Sequence, residues 1–195
     1  MSKIFPMRIA FKEWSVVVDA LGRGEQILIL RKGGISEGRG GFRMEHDRFF
    51  LFPTGFHQQR ESVLPTAQQR FDSTAASGPD EGIVRISFCA EVAASECLDD
   101  LGAAERLRGQ HIWRDEVIAQ RFDWGRSKSI FAVALRVLRL PLVVELPMQS
   151  SYGGCKSWVE LATDLDVTDA EPVLTDEIFQ GKLDRFHAAL GQAQS

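Results

Sequence analysis

The chain has 195 residues, 44% of them hydrophobic and 26% charged, and a formal net charge of −4. That length fits one ordinary domain with enough apolar material for a real core, and the acidic balance excludes a polycation whose entire surface binds nucleic acid. A nucleic-acid partner would therefore need a local basic patch.

The longest apolar stretch, 130–146, is broken by Arg136, Arg139, Pro141 and Glu145, so it is not the ~20-residue apolar run of a membrane helix. The first eight residues lack the apolar centre of a secretion signal, which makes a cytoplasmic location the expectation. Cys89, Cys97 and Cys155 are odd in number and show no C-x-x-C spacing, which favours reduced thiols over a disulfide framework or a zinc knuckle. No cofactor and no metal site is expected.

In chain order, the spacing predicts a first helix over about Ile9–Leu21. Ala10, Trp14, Val17, Val18 and Leu21 form one apolar stripe, and Gly22 follows as a left-handed cap. The β-branched run Val16-Val17-Val18 argues weakly for a strand. Residues 26–32 (QILILRK) and 48–52 (RFFLF) are apolar on both faces, as strands covered on both sides are. Pro53 should end the second, and 56–64 suit a short helix capped by Thr54 or Gly55. The segment 65–82 has one large apolar residue, Phe71, and reads as a flexible excursion, partly helical at best.

Residues 83–93 alternate cleanly, with Val84, Ile86, Phe88, Ala90 and Val92 on the apolar face, and read as a half-buried strand. Helices are expected at about 95–108 and 113–122, then strands at 129–138 and, after Pro141, at 142–146. A last helix at about 175–190 has Thr175 as its cap, Leu174 and Phe179 as a hydrophobic staple, and a stripe of Phe179, Leu183, Phe186 and Leu190. The expected fold is α+β in a single domain, 1–195. It would have about five mostly antiparallel strands in a twisted sheet or partly open barrel, with peripheral helices.

Four motifs stand out against this frame: AFKEWSVVVDALGRGEQILILRKGGI, RFFLFPTGFHQQ, WGRSKSIFAVALRVLRLP and YGGCKSWVEL. Together, from Ala10 to about Leu161, they resemble the bacterial proteins grouped as the domain of unknown function 1802 family. The resemblance implies no established activity. It does imply that the polar ends of these motifs are the family's signature, with the 65–82 segment and the tail beyond Leu161 outside it.

Those polar ends are the candidate sites. The loop 31–43 carries five glycines and four cations, Arg31, Lys32, Arg39 and Arg43. Glycines such as Gly33 and Gly34 let backbone N–H groups approach an anion, although the P-loop spacing and its helix are absent. The bland alternative is a hairpin connection with solvated charges. At the Pro53 corner, Thr54, His57 and Gln58 can bond a base edge or a phosphate, and equally can cap a helix and brace a loop. Trp124 with Lys128, and Tyr152 with Lys156 and Trp158, offer rings for stacking beside cations, or simply core aromatics.

Catalytic arrangements are poor. Glu45, His46 and Asp47 are adjacent, so on a strand they alternate faces. The carboxylates of 164–169 are spaced as in a calcium loop, but the turn glycine is missing and Thr175 stands where that loop needs glutamate. A nuclease-like core would need Glu-x-Lys on a strand, and Lys12-Glu13 on the first helix is a weak substitute. The leading reading is thus a binding domain for nucleic acid or a phosphorylated ligand. In it Arg31, Lys32 and Arg39 meet phosphate, Trp124 and Trp158 stack, and Thr54, His57 and Gln58 read polar edges. The alternatives are a metal-dependent nuclease-like hydrolase, using His57 with Glu13 and Glu37, and a protein-interaction subunit without catalysis.

Overall fold

The computed structural model describes residues 7–32, 44–55, 59–76, 82–125 and 128–191. Among these residues lie strands β1 (Met7–Trp14), β2 (Leu28–Arg31), β3 (Arg48–Thr54), β4 (Ile83–Leu98), β5 (Ile130–Pro147), β6 (Trp158–Leu165) and β7 (Glu171–Pro172). The helices are α1 (Ser15–Gly22), α2 (Pro65–Ala76), α3 (Leu101–Arg106), α4 (Asp115–Asp123) and α5 (Asp176–Ala189). The strands form one open mixed sheet in the order β2-β5-β4-β3-β1-β6, with β7 against β5. Strands β1 and β3 run parallel and the other pairs antiparallel. The α+β class holds, but the sheet has seven strands rather than five, and one pair is parallel.

The two faces are both apolar. Alternate residues divide between two cores: Phe11, Phe49, Leu51 and the helices on one side, Ala10, Phe50, Phe52, Val159 and Leu161 on the other.

The largest correction is at the start. The predicted helix over Ile9–Leu21 is strand β1 as far as Trp14 and helix only from Ser15. Ladders with β3 and β6 on its two sides override the helical spacing. The left-handed residue after α1 is Gly24, with φ of 68°, and not Gly22. Gly22 is small for a different reason: a Cβ there would lie 2.2 Å from the Phe88 ring.

Pro53 does not end β3, which continues to Thr54. Beyond Phe50 the ladder to β4 has stopped while the one to β1 continues, so a residue without an N–H is tolerated on the open side. Residues 56–58, the start of the predicted helix, lie outside the described residues. The short 3-10 turn that follows, Arg60–Ser62, starts from Gln59 without a side-chain cap.

Strand β4 runs on to Leu98, so residues 95–98 pair with β5 instead of beginning a helix. Register shifts occur between Ile86 and Phe88 and between Val92 and Ala94. The first breaks the alternation read from the sequence: Val84, Ile86 and Cys89 share one core, while Phe88 and Ala90 pack on the other. The predicted strands 129–138 and 142–146 are a single 18-residue strand, β5, with Pro141 inside the register shift opposite 86–88. Residues 65–76 form α2, whose Ala67 is buried and whose Phe71 packs against the core.

The C-terminal helix is as expected. Thr175 Oγ1 accepts from the Ile178 N–H at 3.3 Å, and Phe179, Leu183, Phe186 and Leu190 face the core. No helix of the described residues is long and apolar enough to cross a membrane.

Candidate functional site

Strands β2 and β6 stand at the two ends of the sheet, and one side chain spans the gap between them. Arg31, the last residue of β2, donates from Nη2 to Ser157 Oγ at 2.6 Å, just before β6. Its Nη1 lies 3.7 Å from Glu13 Oε2, and its guanidinium sits 4.9 Å from the centre of the Phe11 ring. Glu13 is only 3% exposed and its Oε1 accepts from the Trp14 N–H at 2.8 Å. Lys12 and Glu13 therefore sit on a strand, not a helix, and serve opposite faces. Lys12 Nζ donates to the carbonyls of Tyr152 and Gly154 at 2.9 and 2.8 Å. Burial, then the charge of Lys156, lowers the Lys12 pKa.

The parallel pair β1–β3 ends at Trp14 and Thr54, which are register partners. Beside this end opens a cleft of about 310 Å³, lined by Trp14, Lys32, Gln59, Ser62, Val117, Gln120, Arg121 and Trp124. Two cavities on the α5 side hold only about 10 and 20 Å³, which is room for a water and no ligand.

Arg121 on α4 forms the cleft's cationic wall. Its guanidinium lies 3.8 Å from the centre of the Trp113 ring and 5.7 Å from that of Trp14, and Nη1 donates to the Leu30 carbonyl at 3.2 Å. The two indoles meet edge to face, 4.7 Å apart. Burial pushes the Arg121 pKa down to about 10 against the pull of Glu13, so the group stays a cation at neutral pH. Lys32 Nζ donates to the carbonyls of Phe122 and Ser129, both at 2.9 Å, which fixes its charge beside the end of α4; burial lowers its pKa as well. Trp124, just after α4, is 52% exposed.

The structure thus gathers Lys32 and Trp124 at one cleft, with Arg31 and Thr54 on the strand ends beside it. Lys128 pairs with Asp123 at 3.3 Å near the same helix end. The second aromatic-cationic loop goes elsewhere. Tyr152 is 1% exposed, stacks edge-on to Phe52, and its hydroxyl accepts from the Ala162 N–H at 2.9 Å. Trp158 packs edge-on against Phe11, Phe49 and His46. The Tyr152 ring is enclosed and that of Trp158 half-buried, and Lys156 donates to the Ser151 carbonyl, closing its own loop. Neither Tyr152 nor Trp158 lines the cleft beside Trp14. Gly33, Gly34, Glu37, Arg39, His57 and Gln58 lie outside the described residues.

Six lining residues were not read from the sequence: Trp14, assigned to a helical stripe, and Gln59, Ser62, Val117, Gln120 and Arg121. A signal existed, since Arg121-Phe-Asp-Trp124 continues the cation–aromatic pattern noted from Trp124 onward.

A family model described as Domain of unknown function (DUF1802) matches residues 10–185. The chain belongs to this family. The DUF1802 match runs well past Leu161 and takes in both α2 and most of α5, segments expected to lie outside the resemblance. No curated protein matches the chain. Among solved structures, a mutant form of ASCH from Zymomonas mobilis aligns over 92% of this chain and 98% of its own, at 11% identity and a TM-score of 0.46. A second structure of ASCH from Zymomonas mobilis covers 90% of this chain and 93% of its own, at 11% identity and a TM-score of 0.44.

Proposed function

We propose that the cleft beside Trp14 binds nucleic acid or a phosphorylated ligand, with a planar ring on an indole and the anionic part towards Lys32 and Arg121. One observation carries this reading: an exposed and a half-buried tryptophan share a cleft of about 310 Å³ with two fixed cations. Indole faces attract flat rings of any sequence, and partly buried cations act on an anion with less screening than exposed ones. Gln59, Gln120 and Ser62 add donors and acceptors at the wall. Gly33, Gly34, Arg39, His57 and Gln58 are proposed contributors because they neighbour Lys32 and Gln59 in the chain.

The hydrolase alternative has less support. Among the described residues no three His, Cys, Asp or Glu side chains gather as metal ligands. Glu13, its described candidate, faces the guanidinium of Arg31.

Titration of the tryptophan emission with short single-stranded DNA and RNA and with nucleotides tests the reading. Stacking is worth ~1–3 kcal/mol per base, so Trp124→Ala should weaken binding about 5- to 150-fold. Because Trp124 is exposed, the same variant should unfold within ~0.5 kcal/mol of the wild type. Unchanged emission up to high micromolar ligand at low salt would end the proposal.

A further inference from the structure

The last part of strand β5 is apolar and open along one edge. On one side β4 accompanies it as far as Pro147; on the other, β2 pairs with residues 131–134 and β7 with Leu138 and Arg139. Among the described residues no strand pairs with that second edge beyond Arg139. Residues 140–143 stand opposite Ser87 alone, so β5 bulges there. Leu142 and Val143 are 77% and 57% exposed, an apolar step of the kind that marks a contact surface. The backbone beside them is set for strand addition. The Met148 N–H donates to the Gly82 carbonyl at 2.6 Å, and the same register continues through Leu146–Val84 and Val144–Ile86. Those β5 residues therefore turn their N–H and C=O groups to β4, and the alternating ones, Glu145 and Val143, turn theirs to the open edge.

The sequence of this edge is complementary to itself. From Pro141 to Pro147 it runs P-L-V-V-E-L-P, the same from either end except that Val143 answers to Glu145. We propose that the edge pairs antiparallel with the same edge of a second copy of the chain, about a two-fold axis through Val144. Leu142 then lies beside Leu146 of the second copy, which stands at the rim of the second core, and Val143 lies beside the aliphatic stem of Glu145. Val143 and Glu145 exchange both their hydrogen bonds, and the two-fold repeats the exchange. Pro141 meets Pro147 at each end, where neither has an N–H to donate, so the ladder stops there and the assembly closes at two copies. An edge this short buries less than the ~1,200 Å² of a standard interface, which makes the dimer a weak one. The proposal does not depend on the cleft beside Trp14.

Sedimentation velocity of the full chain, from about 5 µM to about 1 mM, reads the association, and amide hydrogen exchange by NMR over the same range reads the register. The sedimentation coefficient should climb from monomer towards dimer. The amides of Val143 and Glu145 should exchange more slowly as the concentration rises, while that of Val144, bonded to β4, should not change. Leu142→Asp keeps the backbone groups, sets a carboxylate against Leu146, and should weaken association by about tenfold or more. Val143→Pro removes an outward N–H and should abolish association. Because Leu142 is exposed, Leu142→Asp should leave the urea midpoint in place, so that variant decides if Val143→Pro disturbs the fold. A monomer up to about 1 mM would overturn the proposal. So would a dimer that Leu142→Asp leaves intact, or one in which the Val143 and Glu145 amides exchange as fast as in the monomer.

Discussion

Lowering the pH from 7 to 4 removes stability from this protein through His111, the side chain that helps set Trp113 beneath Arg121. His111 is 6% exposed, and its Nδ1 accepts from the Trp113 N–H at 3.2 Å, an arrangement that needs this nitrogen unprotonated. Burial is the main reason its pKa drops from 6.5 to about 4; Arg121 and Arg108 push the same way, while Asp115 opposes. The unfolded chain takes up a proton near pH 6.5 that the folded chain refuses until about pH 4. Stability is therefore full above 6.5 and falls as the pH drops through that window. The gap is about 2.5 units, and at ~1.4 kcal/mol each the loss approaches ~3 kcal/mol as an upper bound.

Urea unfolding at several pH values between 7 and 4 measures it, with His111→Asn as the reference. Asparagine offers an oxygen to the same N–H and does not titrate. The wild type should lose up to ~3 kcal/mol more than the variant across the window, and the other titrating groups cancel in the comparison. Parallel pH curves for the two proteins would show that His111 contributes nothing to the acid loss.

Two further substitutions probe the scaffold of the site. Gly22→Ala drives a methyl group into the Phe88 ring, which Arg139 covers at 4.9 Å, and should cost ~1–3 kcal/mol in chemical denaturation. Adding Phe88→Leu should recover part of that loss, whereas simple additivity would contradict the clash. Glu13→Gln leaves Arg31 and Arg121 without their nearby carboxylate and should destabilise by ~1–3 kcal/mol, less than a fully buried pair because Arg31 is 25% exposed. An unchanged denaturation midpoint would show that the link across the open side of the sheet contributes nothing.

Local patterns were legible where one element answered to one neighbour. The α5 stripe and its Thr175 cap, the buried β2 segment and the start of β3 could all be read directly. What escaped depended on distant pairing. Residues 7–14 form a strand because β3 and β6 flank them, and nothing within Ile9–Leu21 encodes those partners. Pro53 and Pro141 looked like stops, yet each lies where a ladder is absent or shifted, and that is a property of the sheet. The face switch in β4 has the same origin, since a register shift leaves no mark in composition.

The site was legible by halves for a related reason. Cations and aromatics at strand ends were found, but exposure decides their use, and exposure comes from the assembled fold. Trp124 is open and Tyr152 is enclosed, although each stood in a similar Gly–aromatic–cation setting. Arg121 was passed over because a helical arginine usually faces solvent, while this one lies against two indoles.

The most direct test of the account is an NMR titration that follows the four indole N–H resonances, assigned by single Trp→Phe variants, as a nucleoside monophosphate is added. The resonances of Trp14 and Trp124 should shift and saturate together, while that of Trp158, packed against Phe11, Phe49 and His46, should stay in place. A ligand that moves Trp158 and leaves Trp14 and Trp124 unchanged, or moves none of the four, would contradict the assignment of the cleft.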